Sequence, residues 1–198
     1  KKRGRPAGAK NKAKKNGLTA STSNDEAHLK GFYTVYSRNM RDLGSPAHSF
    51  DWFKEIIKQY GDQAIIANVY KNSTVVGAGI VLFNGDRACI PWASTISEYN
   101  KLAPNMLLYW ILLEYTTDIG KTEFDFGRST PGEGTYRFKA QWGAKPFALD
   151  WQIFKDGQIH ITKQSSGKAR EQVEKVWRKL PVPLATSIGS KLRKYITL

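Results

Sequence analysis

The apolar residues after Asn24 recur every three or four positions, which is the spacing of an amphipathic helix that ends before Gly44 and Pro46. The residues of this apolar stripe are Leu29, Phe32, Tyr36, Met40 and Leu43. A second, shorter helix is predicted over residues 50–60, because Gly61 follows it. Both helices would turn one face to a core and the other to solvent.

The pattern then changes to the β-branched, apolar runs that are typical of strands. Three such runs follow one another, QAIIANVY, TVVGAGIVLF and RACIPWAS. Asn84-Gly85 between the second and third is a strong hairpin signal, so the sequence predicts an antiparallel meander. Pro104 then opens a segment that is apolar nearly all round and ends at Gly120, which predicts a helix buried against the sheet.

The remaining segments complete an α+β pattern. The strand TEFDF is followed by a short helix and by a last hairpin, ALDWQIF to QIHIT, which turns at Asp156-Gly157. A basic helical extension is predicted over residues 166–198, interrupted by Pro181 and Pro183. This order of elements predicts a mixed, largely antiparallel sheet flanked by helices, in one domain over residues 25–165.

Residues 1–24 are rich in small and basic residues and contain one large aliphatic side chain, Leu18. Such a composition predicts a disordered basic tail, or the end of an upstream element. The segment KKRGRPAGAKNK also resembles an AT-hook, in which an extended backbone enters the A·T minor groove. Its contacts would come from Arg3, Gly4, Arg5 and Pro6. The alternatives are therefore a DNA-binding, non-enzymatic module and a basic linker in which RGRP occurs by chance.

The charge of the chain points to polyanionic partners. The 198 residues carry a formal charge of +14, and eight of the 31 Lys and Arg lie within the first fifteen residues. Nucleic acid, nucleotide-linked substrates and anionic lipid are all compatible with this balance. The longest uncharged apolar run, Met106 to Leu113, is too short to cross a bilayer. With no signal peptide legible after Lys1 and Lys2, a cytoplasmic location is expected.

Several common catalytic patterns are absent from the sequence. His28, His48 and His160 lie far apart without the spacing of metal ligands, so no metal site is predicted. There is no G-x-S-x-G elbow, phosphate-binding P-loop or dinucleotide fingerprint. The single cysteine, Cys89, lies in an apolar strand, where a thiol usually packs and is inert. Hydrolase, P-loop and dinucleotide chemistries are therefore disfavoured.

One stretch combines glycines, cations and rings. In FDFGRSTPGEGTYRFKAQWGA, residues 124–144, a strand ending at Gly127 would bring Arg128 and Ser129 to the edge of the sheet. Arg128, Arg137 and Lys139 offer contacts to phosphate or carboxylate groups. The predicted stacking platforms are Tyr136, Phe138 and Trp142.

This stretch also has a plainer interpretation. Phe138 and Trp142 lie four residues apart on a short helix, so they would pack on the sheet while the cations face water. Asp125 and Glu133 are carboxylates that could act as bases, although a carboxylate beside arginines is usually an ion-pair partner. The residue pattern leaves both interpretations open.

Four segments together resemble the C-terminal half of FemAB-like proteins, a branch of the GNAT-like acyltransferase superfamily. They are KAKKNGL, FYTVYSRNMRDLGSPAHS, PNMLLYW and the stretch of residues 124–144, and the resemblance covers about residues 10–160. It implies a GNAT-like fold for the domain of residues 25–165. Within the family, the chain resembles a subgroup associated with exopolysaccharide and exosortase systems.

The resemblance implies an acyltransferase or aminoacyltransferase that forms an amide on an amine of a peptidoglycan or exopolysaccharide precursor. Lys139 and Arg128 would hold a phosphate-bearing substrate, and the substrate-binding residues would be Phe138, Tyr136, Trp142, Ser129 and Arg137. The donor would be aminoacyl-tRNA or another acyl carrier, which makes tRNA a partner and places the protein in the cytoplasm or at the inner membrane surface. No cofactor is expected.

Two features depart from the patterns of these relatives. Many GNAT enzymes bind the coenzyme A pyrophosphate through a glycine-containing loop before a helix. The corresponding segment here, ISEYNKLAPNMLLYW, has no glycine, so acetyl-CoA is disfavoured as the donor. The N-terminal half of FemAB-like proteins, which builds much of the acceptor site, is absent from this sequence, so turnover is expected to need that half.

Overall fold

The chain forms a central sheet with helices on both faces. A computed structural model describes residues 5–150, 152–155, 157–161 and 168–195. The helices are α1 (Arg5–Lys15), α2 (Glu26–Leu43), α3 (Phe50–Tyr60), α4 (Pro104–Asp118), α5 (Gly134–Ala140), α6 (Lys168–Trp177) and α7 (Val182–Leu192). The strands are β1 (Leu18–Ser23), β2 (Ala64–Lys71), β3 (Thr74–Asn84), β4 (Arg87–Thr95), β5 (Glu123–Asp125), β6 (Gln152–Lys155) and β7 (Gln158–Ile161). Short 3-10 turns cover Gly61–Gln63, Ser97–Leu102 and Arg193–Tyr195.

The main sheet has five strands in the order β1-β2-β3-β4-β5. Neighbours from β1 to β4 are antiparallel, and β4 and β5 are parallel. The predicted meander of β2, β3 and β4 and the mixed, largely antiparallel sheet are therefore confirmed. The hairpin of β6 and β7 forms a separate two-stranded sheet. Gly157 in its turn has a φ of 76°, which glycine adopts without steric cost, and Asp156 lies outside the described residues.

The prediction of a disordered tail over residues 1–24 is wrong for residues 5–23, which form α1 and β1. The prediction relied on the small number of large apolar side chains in this segment. The segment is ordered because β1 pairs with β2 and α1 packs on α4. β1 pairs along β2 from Leu18 opposite Lys71 to Ser23 opposite Ile66. Leu18 is 2% exposed and Ala13 on α1 is fully buried, so a few small contacts suffice once the strand pairs.

The AT-hook interpretation is affected by the same result. Arg5 and Pro6 belong to the first turn of α1, whereas insertion into a minor groove requires an extended backbone. Proline fits a first helical turn because its missing N–H has no partner there. Arg3 and Gly4 lie outside the described residues. Arg5 and Pro6 are therefore helical in this structure, and DNA binding by the RGRP segment stays a prediction.

The core has two layers, one on each face of the sheet. Side chains alternate between them along the strands: Ile65 points into the layer under α4, and Ile66 points into the layer under α2 and α3. The second layer is rich in rings. Phe53 of α3 is fully buried, and its ring centroid lies 5.0 Å from that of Phe32 and 4.8 Å from that of Tyr36.

The helix ends follow the chemistry of their sequences. Asp25 caps α2 by accepting the backbone N–H of His28, and Ser49 caps α3 in the same manner. Gly44 ends α2 with a φ of 78°, in the left-handed region that favours glycine. The predicted ends of α2 and α3 are thus confirmed.

The C-terminal helices pack beside α2. Trp177 at the end of α6 and Ala185 on α7 are buried, and Gly189 lies so close to the loop between α2 and α3 that an added Cβ would be 2.9 Å from the backbone nitrogen of Ala47. Pro181 precedes α7 and separates it from α6. Across the described residues, every helix is too short or too polar to span a membrane.

Candidate functional site

The two parallel strands of the sheet separate at one end. β4 and β5 pair only from Arg87 opposite Glu123 to Cys89 opposite Asp125, and β4 continues to Thr95. Within the described sheet, no strand lies beside this second half of β4 on the β5 side. Backbone groups on that side of β4 therefore have no partner strand, which is an arrangement that an extended ligand can complete.

The chain after β5 runs close to β4 before it turns away. Gly127 has a φ of 70°, and an added Cβ would lie 3.6 Å from the carbonyl oxygen of Ile90. The carboxylate of Asp125 accepts a 2.7 Å hydrogen bond from the backbone N–H of Gly127. A residue with a side chain would be strained at this φ, so glycine permits the turn.

Lys139 on α5 also holds the turn at Gly127 in place, through hydrogen bonds to its backbone. Its Nζ donates to the carbonyl oxygens of Gly127 at 2.8 Å and Arg128 at 2.7 Å. Burial lowers the pKa of Lys139, and nearby Asp125 acts in the opposite direction. An ammonium group has three N–H donors, so one remains for another acceptor. The lysine that was predicted to clamp a substrate therefore also positions the backbone around the opening.

The rings of the predicted site pack on α4. The ring centroid of Phe138 lies 4.9 Å from that of Tyr109, and Trp142 lies 6.2 Å from Tyr109. Phe126 stacks on Tyr109 at 5.6 Å. Burial raises the pKa of Tyr109 to about 12, so its hydroxyl stays protonated. Phe138 and Trp142 therefore pack inside the protein, as the plainer interpretation of this stretch predicted, but they pack on helix α4 rather than on the sheet.

Two polar atoms of this region are buried without a protein partner. In the described part of the chain, Ser129 Oγ and Trp142 Nε1 have neither solvent exposure nor a hydrogen bond. Buried polar atoms are nearly always paired in native proteins, so this unpaired hydroxyl and this unpaired indole N–H are candidate ligand contacts.

A small cavity of about 190 Å³ lies at the N-terminus of α4. Its lining residues are Asn100, Ala103, Pro104, Asn105, Met106 and Phe138. Ala103 has a φ of 63°, which is unusual for a residue other than glycine. Sequence reasoning missed Asn100 and Asn105, because nothing in an Asn-Lys-Leu-Ala-Pro-Asn run marks a cavity; the only local signal was the proline that opens the helix.

The side chains of the remaining predicted residues differ in exposure. Arg128 and Arg137 have exposed side chains, and Tyr136 is half-buried. Glu133 precedes α5 and makes no side-chain capping bond. Burial and the Asp125 carboxylate raise the pKa of the Cys89 thiol, which favours the unreactive protonated form. The assigned roles of these residues stay predictions.

His28 lies at the other edge of the sheet from this site. Ser21 Oγ is 2.9 Å from His28 Nε2, and His28 Nδ1 is 3.1 Å from Asp25 Oδ1. The backbone N–H of His28 lowers the pKa of Asp25 to about 2, with help from the Ser23 hydroxyl. The Asp25 carboxylate caps α2, and the side chains of Ser21, His28 and Asp25 together join β1 to the start of that helix.

A sequence profile described as the acetyltransferase (GNAT) domain matches residues 1–140. Among curated proteins, no sequence match to this chain was found. The solved structure of FemX is similar over 70% of this chain and 53% of its own, with 15% identity and a TM-score of 0.62. The chain therefore spans about half the length of FemX.

Two further solved structures are similar to this chain. The C-terminal domain of a putative lysylphosphatidylglycerol synthetase from Agrobacterium fabrum matches with 12% identity and a TM-score of 0.58, over 71% of this chain and 50% of its own. A ribosomal-protein-alanine N-acetyltransferase from Brucella melitensis biovar Abortus 2308 matches with 11% identity and a TM-score of 0.55, over 70% of this chain and 99% of its own. At such identities, these structural matches concern the fold.

Proposed function

Because the chain belongs to the acetyltransferase (GNAT) domain family and has a FemAB-like fold, we propose that it transfers an acyl or aminoacyl group to an amine of a cell-envelope precursor. The observation that carries this proposal is the opening between β4 and β5, whose rim is positioned by Lys139. An extended carrier would lie along the second half of β4, with its reactive carbonyl near the Gly127 turn.

The proposed reaction needs positioning more than a reactive side chain. The amine nitrogen of the acceptor attacks the carbonyl carbon of the donor ester and forms a C–N bond. The C–O bond to the carrier then breaks, and the amine proton leaves with the carrier oxygen. Holding two substrates together and stabilising the negative charge on the carbonyl oxygen supply most of the acceleration in such a step.

We assign the stabilisation of that negative charge to the third N–H of Lys139 and to two buried donors of the same stretch. Ser129 Oγ and Trp142 Nε1 are buried donors without a protein partner, and a buried donor interacts more strongly with an anion than one in water. Arg128 and Arg137 at the exposed rim would contact phosphate groups of the substrates. Of the predicted residues, this assignment retains Lys139, Arg128, Arg137, Ser129 and Trp142, and it gives Lys139 a second, positioning role.

The start of α4 favours a donor other than acetyl-CoA. A helix N-terminus binds pyrophosphate through its free backbone N–H groups. Pro104 at the first helical position has no N–H, and the N–H of Met106 is bonded to the carbonyl oxygen of Ala103 at 3.1 Å. Fewer donors are thus left for a pyrophosphate, which agrees with the lack of glycines here. We therefore propose aminoacyl-tRNA or another acyl carrier.

The resemblance to FemAB-like proteins suggests a peptidoglycan or exopolysaccharide precursor as the acceptor. The name of the Agrobacterium relative mentions lysylphosphatidylglycerol, in which an amino acid is joined to a membrane lipid.

The test is transfer by the full-length protein from labelled aminoacyl-tRNA or acetyl-CoA to amine-bearing envelope precursors, with the product identified by mass spectrometry. We expect an amide product from aminoacyl-tRNA, and Lys139→Ala should reduce kcat/KM at least tenfold. Lys58→Ala, an exposed lysine on α3, is the matched control. Unchanged transfer by Lys139→Ala at saturating and subsaturating substrate would refute the assigned role.

A further inference from the structure

Helix α7 exposes a row of aliphatic side chains. Leu184, Ile188 and Leu192 are 46%, 37% and 44% exposed, and their spacing of four residues places them on one side of the helix. Tyr195 in the following turn continues this side and is 77% exposed. We call these four residues the α7 stripe. Single exposed aliphatic residues are common on protein surfaces, but an aligned row of them indicates a surface that binds an apolar partner.

The other side of α7 is already committed to the fold. Ala185 and Gly189 are buried, and Gly189 lies against Pro46, Ala47 and Trp177. Beyond the helix, Arg193 Nε donates a 3.2 Å hydrogen bond to His48 Nε2. The helix therefore cannot turn its α7 stripe inward without losing these contacts.

The side-chain charges in the sequence after Glu174 are all positive. Glu174 is the last acidic residue of the sequence, and six cations follow it. They are Lys175, Arg178, Lys179, Lys191, Arg193 and Lys194. Lys179 and Lys191 have exposed side chains; Lys179 lies three residues before α7 begins, and Lys191 is the second-last residue of α7. An exposed aliphatic row with exposed lysines before the helix and in its last turn shares two features with helices that bind the interface of an anionic bilayer.

We propose that α7 docks the chain on an anionic membrane surface. The α7 stripe would enter the boundary between headgroups and acyl chains, while Lys179 and Lys191 contact lipid phosphates. Tyr195 would lie at the interface, where its ring is apolar and its hydroxyl is hydrated. A nucleic acid would match the lysines but not the aliphatic row, and a neutral protein groove would match the row but not the lysines. The proposal does not depend on the identity of the donor or acceptor.

The experiment is vesicle flotation of the 198-residue chain with phosphatidylcholine vesicles and with vesicles that contain phosphatidylglycerol in addition. We expect binding to the anionic vesicles alone, and weaker binding as salt increases. Neutralising Lys179 and Lys191 together, as Lys179→Gln and Lys191→Gln, should weaken binding on the order of 20-fold, since each cation near an anionic surface contributes roughly a factor of five. Ile188→Ser with Leu192→Ser should weaken it at least tenfold.

Matched controls come from other surfaces of the chain. Ile119→Ser changes an aliphatic residue that is 42% exposed at the end of α4, and Lys101→Gln changes an exposed lysine; neither should alter flotation. All substitutions are at exposed positions, and circular dichroism checks the fold of each variant. Equal binding to both vesicle types, no binding to either, or full binding by the Ile188 and Leu192 variant would overturn the proposal. So would a dimer that this variant dissociates, because the α7 stripe would then cover a second copy.

Discussion

Replacing Lys139 with methionine removes the ammonium group while keeping most of the aliphatic side chain on α5. The ammonium makes two hydrogen bonds, to the carbonyl oxygens of Gly127 and Arg128. Hydrogen bonds to a charged group contribute about 1.5–3 kcal/mol each when buried. Lys139 is only partly buried, so solvent screening reduces the sum to about 1–2 kcal/mol. In a chain of this size, the loss corresponds to a fall in Tm of about 3–6 °C.

Thermal and urea unfolding would measure this loss, and hydrogen exchange would locate it. The backbone N–H of Gly127 should exchange faster in Lys139→Met, because the turn that holds it is no longer fixed from α5. Arg137→Met is the matched control for stability, since Arg137 lies on the same helix with an exposed side chain. We expect it to change the free energy of unfolding by less than about 0.5 kcal/mol.

The reasoning fails if Lys139→Met and Arg137→Met unfold alike and the exchange at Gly127 is unchanged. Transfer activity separates the two roles proposed for Lys139. A loss of transfer with faster exchange at Gly127 indicates a positioning role, whereas a loss with unchanged exchange indicates direct contact with the substrate.

Three further predictions concern other parts of the chain. Phe53→Ala should lower the free energy of unfolding by about 3–5 kcal/mol in urea titrations, because Phe53 is fully buried among rings; a loss no larger than that of exposed Ile119→Ala would contradict this. Burial, with Arg193 nearby, lowers the pKa of His48 from 6.5 to about 4. Between these pH values the unfolded chain binds a proton at His48 that the folded chain does not, so the free energy of unfolding should fall by about 1–2 kcal/mol as the pH drops from 6.5 to 4. His48→Gln should show a smaller slope in the same pH series. Ser129→Ala removes a buried, unpaired hydroxyl, so unfolding should show unchanged or slightly higher stability while transfer falls; a clear loss of stability would mean that the hydroxyl has a protein partner.

Local signals accounted for most of the helices and strands. The apolar spacing of α2 and α3, the left-handed turn at Gly44 and the Asn84-Gly85 hairpin each depend on residues within a few positions of one another. Helix α1 and strand β1 were missed for the opposite reason. Leu18 is buried by neighbours that come from β2 and α4, and no short window of sequence contains them.

For the candidate site too, the sequence predicted one part and the tertiary structure decided another. The sequence alone picked out the stretch of residues 124–144 from its glycines, cations and rings, and it raised the possibility that Phe138 and Trp142 pack rather than stack on a ligand. Only the fold decided that they pack on Tyr109 of α4. It also decided that Lys139 bonds to two carbonyl groups of the turn that follows β5.

The sequence by itself therefore determined most of the helices and strands, the glycine ends of α2 and α3, and the segment proposed to carry the site. Tertiary structure decided the pairing of β1, the separation of β4 from β5 and the partners of Lys139. The physical reason is range: helical periodicity and turn conformation arise between near neighbours in the chain. Burial, desolvation and strand pairing depend instead on segments that only folding brings together.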